Sequence, residues 1–112
     1  MSRVFIIERS KHNVSTANAF GALVTLFPRT GDRPSIWRST ECASRVIAEL
    51  RRYRFDPQQD FILLCGSQIM LSIVVAVVAV EYGQFTALAF NTHDDVRDYE
   101  PVILGEMTLC ST

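Results

Sequence analysis

The sequence predicts a single α/β domain in which a mixed five-stranded sheet, parallel at its centre, carries two main helices. Three observations lead there. Short apolar runs bounded by turn residues alternate with two helical segments, in the order strand, strand, helix, strand, helix, strand, strand. The 112 residues, 48% apolar and 21% charged, fit one domain that buries roughly two-thirds of its unfolded surface. Finally, the charge-free segment Phe61 to Val80 divides at a glycine into a strand and a shorter helix.

Arg3 to Glu8 (RVFIIE) is short, rich in β-branched and aromatic residues and bounded by polar ones, which predicts a strand. The small and polar residues that follow, Arg9 to Gly21, read as a loop or weak helical turn. Ala22 to Phe27 (ALVTLF) is apolar at almost every position, as expected of a strand covered on both faces. Pro28, Gly31 and Pro34 end it. Between Ser39 and Tyr53 the period changes: Ala43, Val46, Ile47 and Leu50 recur at helical spacing, with Glu41, Arg45, Glu49 and Arg52 on the other faces. Ser39 or Thr40 is the expected cap, and the pairs Glu41/Arg45 and Arg45/Glu49 stand one turn apart. Arg51, Arg52 and Arg54 suit the negative end of the helix, with a phosphate patch as the alternative reading. Trp37 is expected in the core or as a staple before the helix, with ligand stacking as its other possible role.

Phe61 to Val80 runs twenty residues without a charge, about the length of a membrane span. Phe61 to Cys65 is β-like, however; Gly66 permits a sharp turn, and Ser67 is a good cap for a helix starting at Gln68. The remaining helix, Gln68 to Tyr82, would be about 22 Å long against a hydrocarbon core of about 30 Å. Asp60 and Glu81, not basic clusters, stand at the ends. The reading is a central strand plus a buried helix, not a span. Gln84 to Thr92 and Tyr99 to Gly105 are the last two strands, joined by a polar turn. Pro101 cannot donate in a ladder and puts the last strand at an edge. The remainder, 106–112, reads as a tail on a core of about 3–105.

Helices between strands make parallel crossovers, so the second, third and fourth strands are expected parallel and the fifth antiparallel on the fourth. Ligands of such sheets favour the carboxyl ends of the strands. The loops at Pro28–Ser35, Gly66–Gln68 and Asn91–Asp98 would meet there. Arg29, Thr30 and Arg33, with Ser67 and Gln68 at the start of the second helix, would suit a phosphate. His93 with Asp94 or Asp95 would suit acid/base work or a metal ion, or is simply the solvated tip of a hairpin. His12 lies in the first loop with no assignable partner.

Other features exclude function classes. Eleven basic against twelve acidic residues leave a net charge of -1, with no global attraction to nucleic acid or anionic lipid. Cys42, Cys65 and Cys110 form no C-x-x-C pair and read as small core residues in a reducing compartment. The amino-terminal apolar run is too short for a secretory signal. There is no P-loop, G-x-G-x-x-G, H-E-x-x-H or G-x-S-x-G motif, so no cofactor is expected and the sequence leans away from an enzyme.

The layout also resembles a family of short phage-encoded α/β proteins without an assigned activity. The resemblance rests on VFII, GALVTLF, VIAELRRYRF, DFILLCG and DYEPVIL, from Val4 to Leu104. The family pattern has Gly-Asx-Pro where this chain has Gly66-Ser67-Gln68, and tryptophan where it has Phe90. The resemblance implies a phage gene product in host bacterial cytoplasm; it implies no site residues.

The second helix is apolar nearly all round, apart from the stripe Gln68, Ser72, Ala76, Ala79 and Gly83. A helix laid on a sheet in so small a domain normally exposes its outer face, so the loop from Arg9 to Phe20, the first helix or, as the favoured reading, a second subunit or partner protein is expected to cover Leu71, Val74, Val75 and Val78. The expected function is therefore a non-enzymatic interaction protein, expected as a homo-oligomer (dimer), that binds a host or defence protein. The alternative is a nucleotide- or phosphoester-binding protein, or a hydrolase of that class, using the strand-end crevice.

Overall fold

A computed structural model of the chain describes residues 2–8, 15–29, 34–92 and 98–105. Thr30, Arg33, His12, His93, Asp94, Asp95, Cys110 and the tail at 106–112 lie outside the described residues. The elements are β1 (Arg3–Glu8), a 3-10 helix (Ser15–Phe20), β2 (Ala22–Phe27), α1 (Ser39–Arg52), β3 (Phe61–Leu63), α2 (Gln68–Tyr82), β4 (Phe85–Asn91) and β5 (Asp98–Leu104). The sheet runs β2-β1-β3-β4-β5. β1 to β4 are parallel and β5 returns antiparallel on β4.

Right-handed crossovers from β2 to β3 and from β3 to β4 both step the same way across the sheet, which puts α1 and α2 on one face. β1 to β2 steps the other way, which sends the 3-10 helix to the opposite face. The core divides accordingly. On the helical face Cys42, Val46 and Leu50 of α1 and Met70, Val74 and Val78 of α2 close over Phe5, Ile7, Ile62, Phe85 and Ala87. On the other face Val4, Ile6, Leu63, Leu88 and Tyr99 are covered by Ala17, with Phe20 packed alongside. Phe5 anchors the first cluster through edge-to-face contacts with Tyr53 and Phe55, at 5.9 and 5.6 Å between centroids.

The amino-terminal end of the sheet is tied by one buried acid. Asp60 is 2% exposed and accepts from the Arg3 backbone N–H at 3.0 Å, the Arg3 guanidinium at 2.9 Å and the Asp56 N–H at 2.8 Å. The same guanidinium donates to the carbonyls of Tyr53 and Arg54, just past the end of α1. Asp60 and Arg3 thus join β1, the α1 exit and the β3 entry, and among the described residues no buried side-chain nitrogen or oxygen lacks a hydrogen-bond partner.

Several expectations change. β2 is an edge strand, not one covered on both faces: Leu26 is buried but Ala22 and Leu23 are exposed. β3 is three residues long, because the chain turns at Cys65, whose N–H bonds back to the Leu63 carbonyl. Neither Ser39 nor Thr40 caps α1; the cap position is Arg38 and no side chain bonds there. The helix charges also pair differently: Arg38 with Glu41 at 3.6 Å and Arg52 with Glu49 at 3.3 Å, while Arg45 lies over the Phe27 ring. Trp37 is not in the core: it is 85% exposed.

Candidate functional site

Parallel pairing brings the carboxyl ends of β1, β2, β3 and β4 to one edge of the sheet. Of the residues expected there, Arg29, Ser67 and Gln68 are described. Arg29 and Gln68 are exposed and Ser67 is half-buried.

The turn from β3 into α2 is built by two residues. Gly66 has φ +131°, and a Cβ there would stand 3.0 Å from the Glu8 Oε1, so a side chain would meet both strain and a carboxylate. Ser67 is extended at the cap position, and its Oγ accepts from the Met70 N–H at 3.5 Å. The Glu8 carboxylate, from the end of β1, accepts from the Ser67 N–H at 3.4 Å.

This geometry determines what the helix start can do chemically. The positive end of α2 already faces a carboxylate of the chain itself, and a phosphate placed there would meet like charge. Glu8 was missed in the sequence because the direction of β1 relative to β3 was not legible; its position as the last residue of a strand was the available signal. Beyond the crevice, burial raises the Tyr99 phenol above its ordinary range, with Cys65 adding to the effect.

The other candidate surface is the outside of the helical layer. Met70, Val74 and Val78 form the stripe of α2 that meets the sheet, and all three are essentially inaccessible. Val74 and Val78 therefore belong to the chain's own core, which corrects their expected place at a contact surface. The reason is rotational: an evenly apolar helix has no unique inward stripe in its sequence, and the sheet selects one. Leu71 and Val75 are half-buried on one flank. On the other flank Val77 lines a shallow groove with Ala43, Ile47 and Ala48 of α1. The outer face presents Ile69, 48% exposed, and Val80, 88% exposed. Gln68, Ser72 and Ala76 of the small and polar stripe are also exposed.

Two of the three arginines at the end of α1 are engaged within the chain: Arg51 pairs with Glu81 of α2, and Arg52 bonds Glu49 and lies over the Tyr53 ring. Arg54 is exposed, and only its backbone carbonyl is bonded, by Arg3. Among the described residues no group of three or more His, Cys, Asp or Glu side chains could hold a metal ion, and no helix is long and apolar enough to cross a membrane. Cys42 is buried, with its Sγ 3.4 Å from the Met70 sulfur, and Cys65 is half-buried.

Compared with known proteins, the chain matches one family model over residues 2–105, that of the Phage Pam3 gp32-like protein. No curated protein and no solved structure matches it.

Proposed function

The chain belongs to the phage Pam3 gp32-like family, and from that premise we propose that it is a non-enzymatic interaction protein that acts by binding a host or defence protein. The observation that carries this reading is Trp37, 85% exposed immediately before α1. Tryptophan is the residue most enriched among those that dominate binding energy, and leaving its indole in water has no role in folding. The exposed Ile69 and Val80 of α2 extend the apolar surface offered by the helical layer.

The phosphate-binding alternative is less well supported. Its anchor at Ser67 is shared with the Glu8 carboxylate, and α2 carries no basic residue in its amino-terminal turn.

The test is affinity capture from a bacterial host lysate, followed by reconstitution with the purified captured protein. Trp37→Ala should weaken that complex about 30-fold or more, while the urea midpoint stays within experimental error. Capture of nothing beyond the control, or equal affinity for the Trp37→Ala and unaltered chains, refutes the reading.

A further inference from the structure

We infer that the helical layer packs face to face on that of a second copy, antiparallel about a two-fold axis through the groove between α1 and α2, so that four helices close a dimer. The contact uses the surface on which the proposed function rests and adds a regulation to it. In the free protein a second copy covers Trp37, and a host partner has to replace that copy.

The two helices lie level in the layer. The Cys42 and Met70 sulfurs meet near the helix starts at 3.4 Å, 28 residues apart in the chain, and Arg51 pairs with Glu81 near the helix ends, 30 residues apart. Both helices leave the carboxyl edge of the sheet and run the same way. Trp37 therefore stands at one end of the layer and Val80 at the other. At 85% and 88% exposure they are the two most exposed large apolar residues among those described. One chain holds them roughly a helix length apart, whereas a two-fold axis across the layer brings them together twice.

That reciprocity selects a second copy as the occupant. An axis through the middle of the layer sets Ser44 over the partner's Ala76 and Ala48 over the partner's Ser72, all four exposed and uncharged, so the layers approach closely. It brings Trp37 within about 5 Å, along the helix axis, of the partner's Val80. Arg45 does not intrude, because it turns away onto the Phe27 ring.

Charge agrees with the same axis. α2 has no basic residue in its last turn and ends on Glu81, an acid at the negative pole of its own helix. Arg38, whose ion pair with Glu41 is long at 3.6 Å, comes level with the partner's Glu81 and supplies a second cation there. At the opposite end Arg51 meets the partner's Ile69, so like charges are not opposed. The parallel dipoles of α1 and α2 reinforce one another within a layer, and an antiparallel layer opposes them. Two helices of 14 and 15 residues side by side cover roughly 22 by 22 Å, or about 1,000 Å² over both copies, the lower bound of a specific interface. The expected dissociation constant is accordingly micromolar.

Sedimentation velocity across the micromolar range should show the unaltered chain rising from the monomer mass to twice that mass. Val80→Glu buries a charge only in the dimer, and should run as a folded monomer with its dissociation constant raised about 100-fold or more. A second measurement fixes the arrangement and decides if Val80→Glu fails to fold. In chains carrying Cys65→Ser and Cys110→Ser, oxidation of a mixture of the Ser44→Cys and Ala76→Cys variants should give a covalent dimer, and neither variant alone should do so. A mixture that yields no more crosslink than the separate variants overturns the inference. So does an unaltered chain that stays monomeric, a Val80→Glu dimer, or an assembly larger than two. Failure of host-protein capture leaves these masses untouched, and a monomeric chain leaves the capture result untouched, so the two proposals fail separately.

Discussion

Replacing Asp60 by alanine tests whether one buried carboxylate holds three segments together. The substitution strands the Arg3 and Asp56 backbone N–H groups, which Asp60 accepts from at 3.0 and 2.8 Å, and each orphaned donor costs about 1 kcal/mol or more. It also removes a charge-assisted bond from the Arg3 guanidinium. That bond belongs at the low end of its range, because the Arg3 side chain is 30% exposed and water recovers part of the loss. The expected destabilisation is about 3–4 kcal/mol, a large share of the roughly 6–17 kcal/mol available to a chain of this length. Urea unfolding followed by circular dichroism should show the midpoint fall by about 2 M, taking an m-value of about 1.5–2 kcal/mol/M. Asp60→Asn keeps one acceptor oxygen, which serves only one of the two backbone donors because they bond different carboxylate oxygens, and should lose less than the alanine variant. In a double-mutant cycle with Arg3→Leu the combined loss should be smaller than the two single losses added, since the pair shares one interaction. A loss under 1 kcal/mol for Asp60→Ala, or equal losses for the alanine and asparagine variants, would refute the assignment of a bonded anchor.

Two further outcomes follow from burial. Val74→Ala should cost about 2 kcal/mol, because its side chain is inaccessible in the helical-face core; Val80→Ala, at 88% exposure, should stay within about 0.5 kcal/mol. Equal losses in urea unfolding would mean that α2 is rotated about its axis from the orientation described. The second outcome concerns alkaline pH. Burial raises the Tyr82 phenol, with Glu81 adding and Arg51 opposing, and it raises Tyr99 as well. Above pH ~10 the unfolded chain releases phenolic protons that the folded chain retains, so the unfolded state binds fewer protons and stability falls as pH rises. The contribution is complete below the unfolded value and is lost as pH rises through the folded values. Urea midpoints measured between pH 8 and 11 should decline less steeply for Tyr82→Phe and Tyr99→Phe, and an unchanged slope in both variants counts against the burial.

The candidate surfaces were legible only in part. Ser67 was readable as a cap from its type and from the glycine before it, since both act through the local backbone. The partnership of Glu8 with Ser67 spans 59 residues and leaves no local pattern. Trp37 shows the same limit from the other side: a large apolar residue beside a helix reads as core unless its direction is known.

What the chain determines by itself is local. Period, proline and glycine specify the strands at Arg3–Glu8 and Ala22–Phe27, the helix from Gln68 to Tyr82 and the break at Gly66, because each rests on contacts within a few residues. Crossovers extend that to the parallel strands, and Pro101 to the edge position of β5. Only the assembled sheet decided that β2 is the other edge, that Met70, Val74 and Val78 are the inward stripe of α2, and that Asp60 closes on Arg3. Strand order, helix rotation and a contact 57 residues long are set by how separate apolar faces exclude water together, and no single segment encodes that competition.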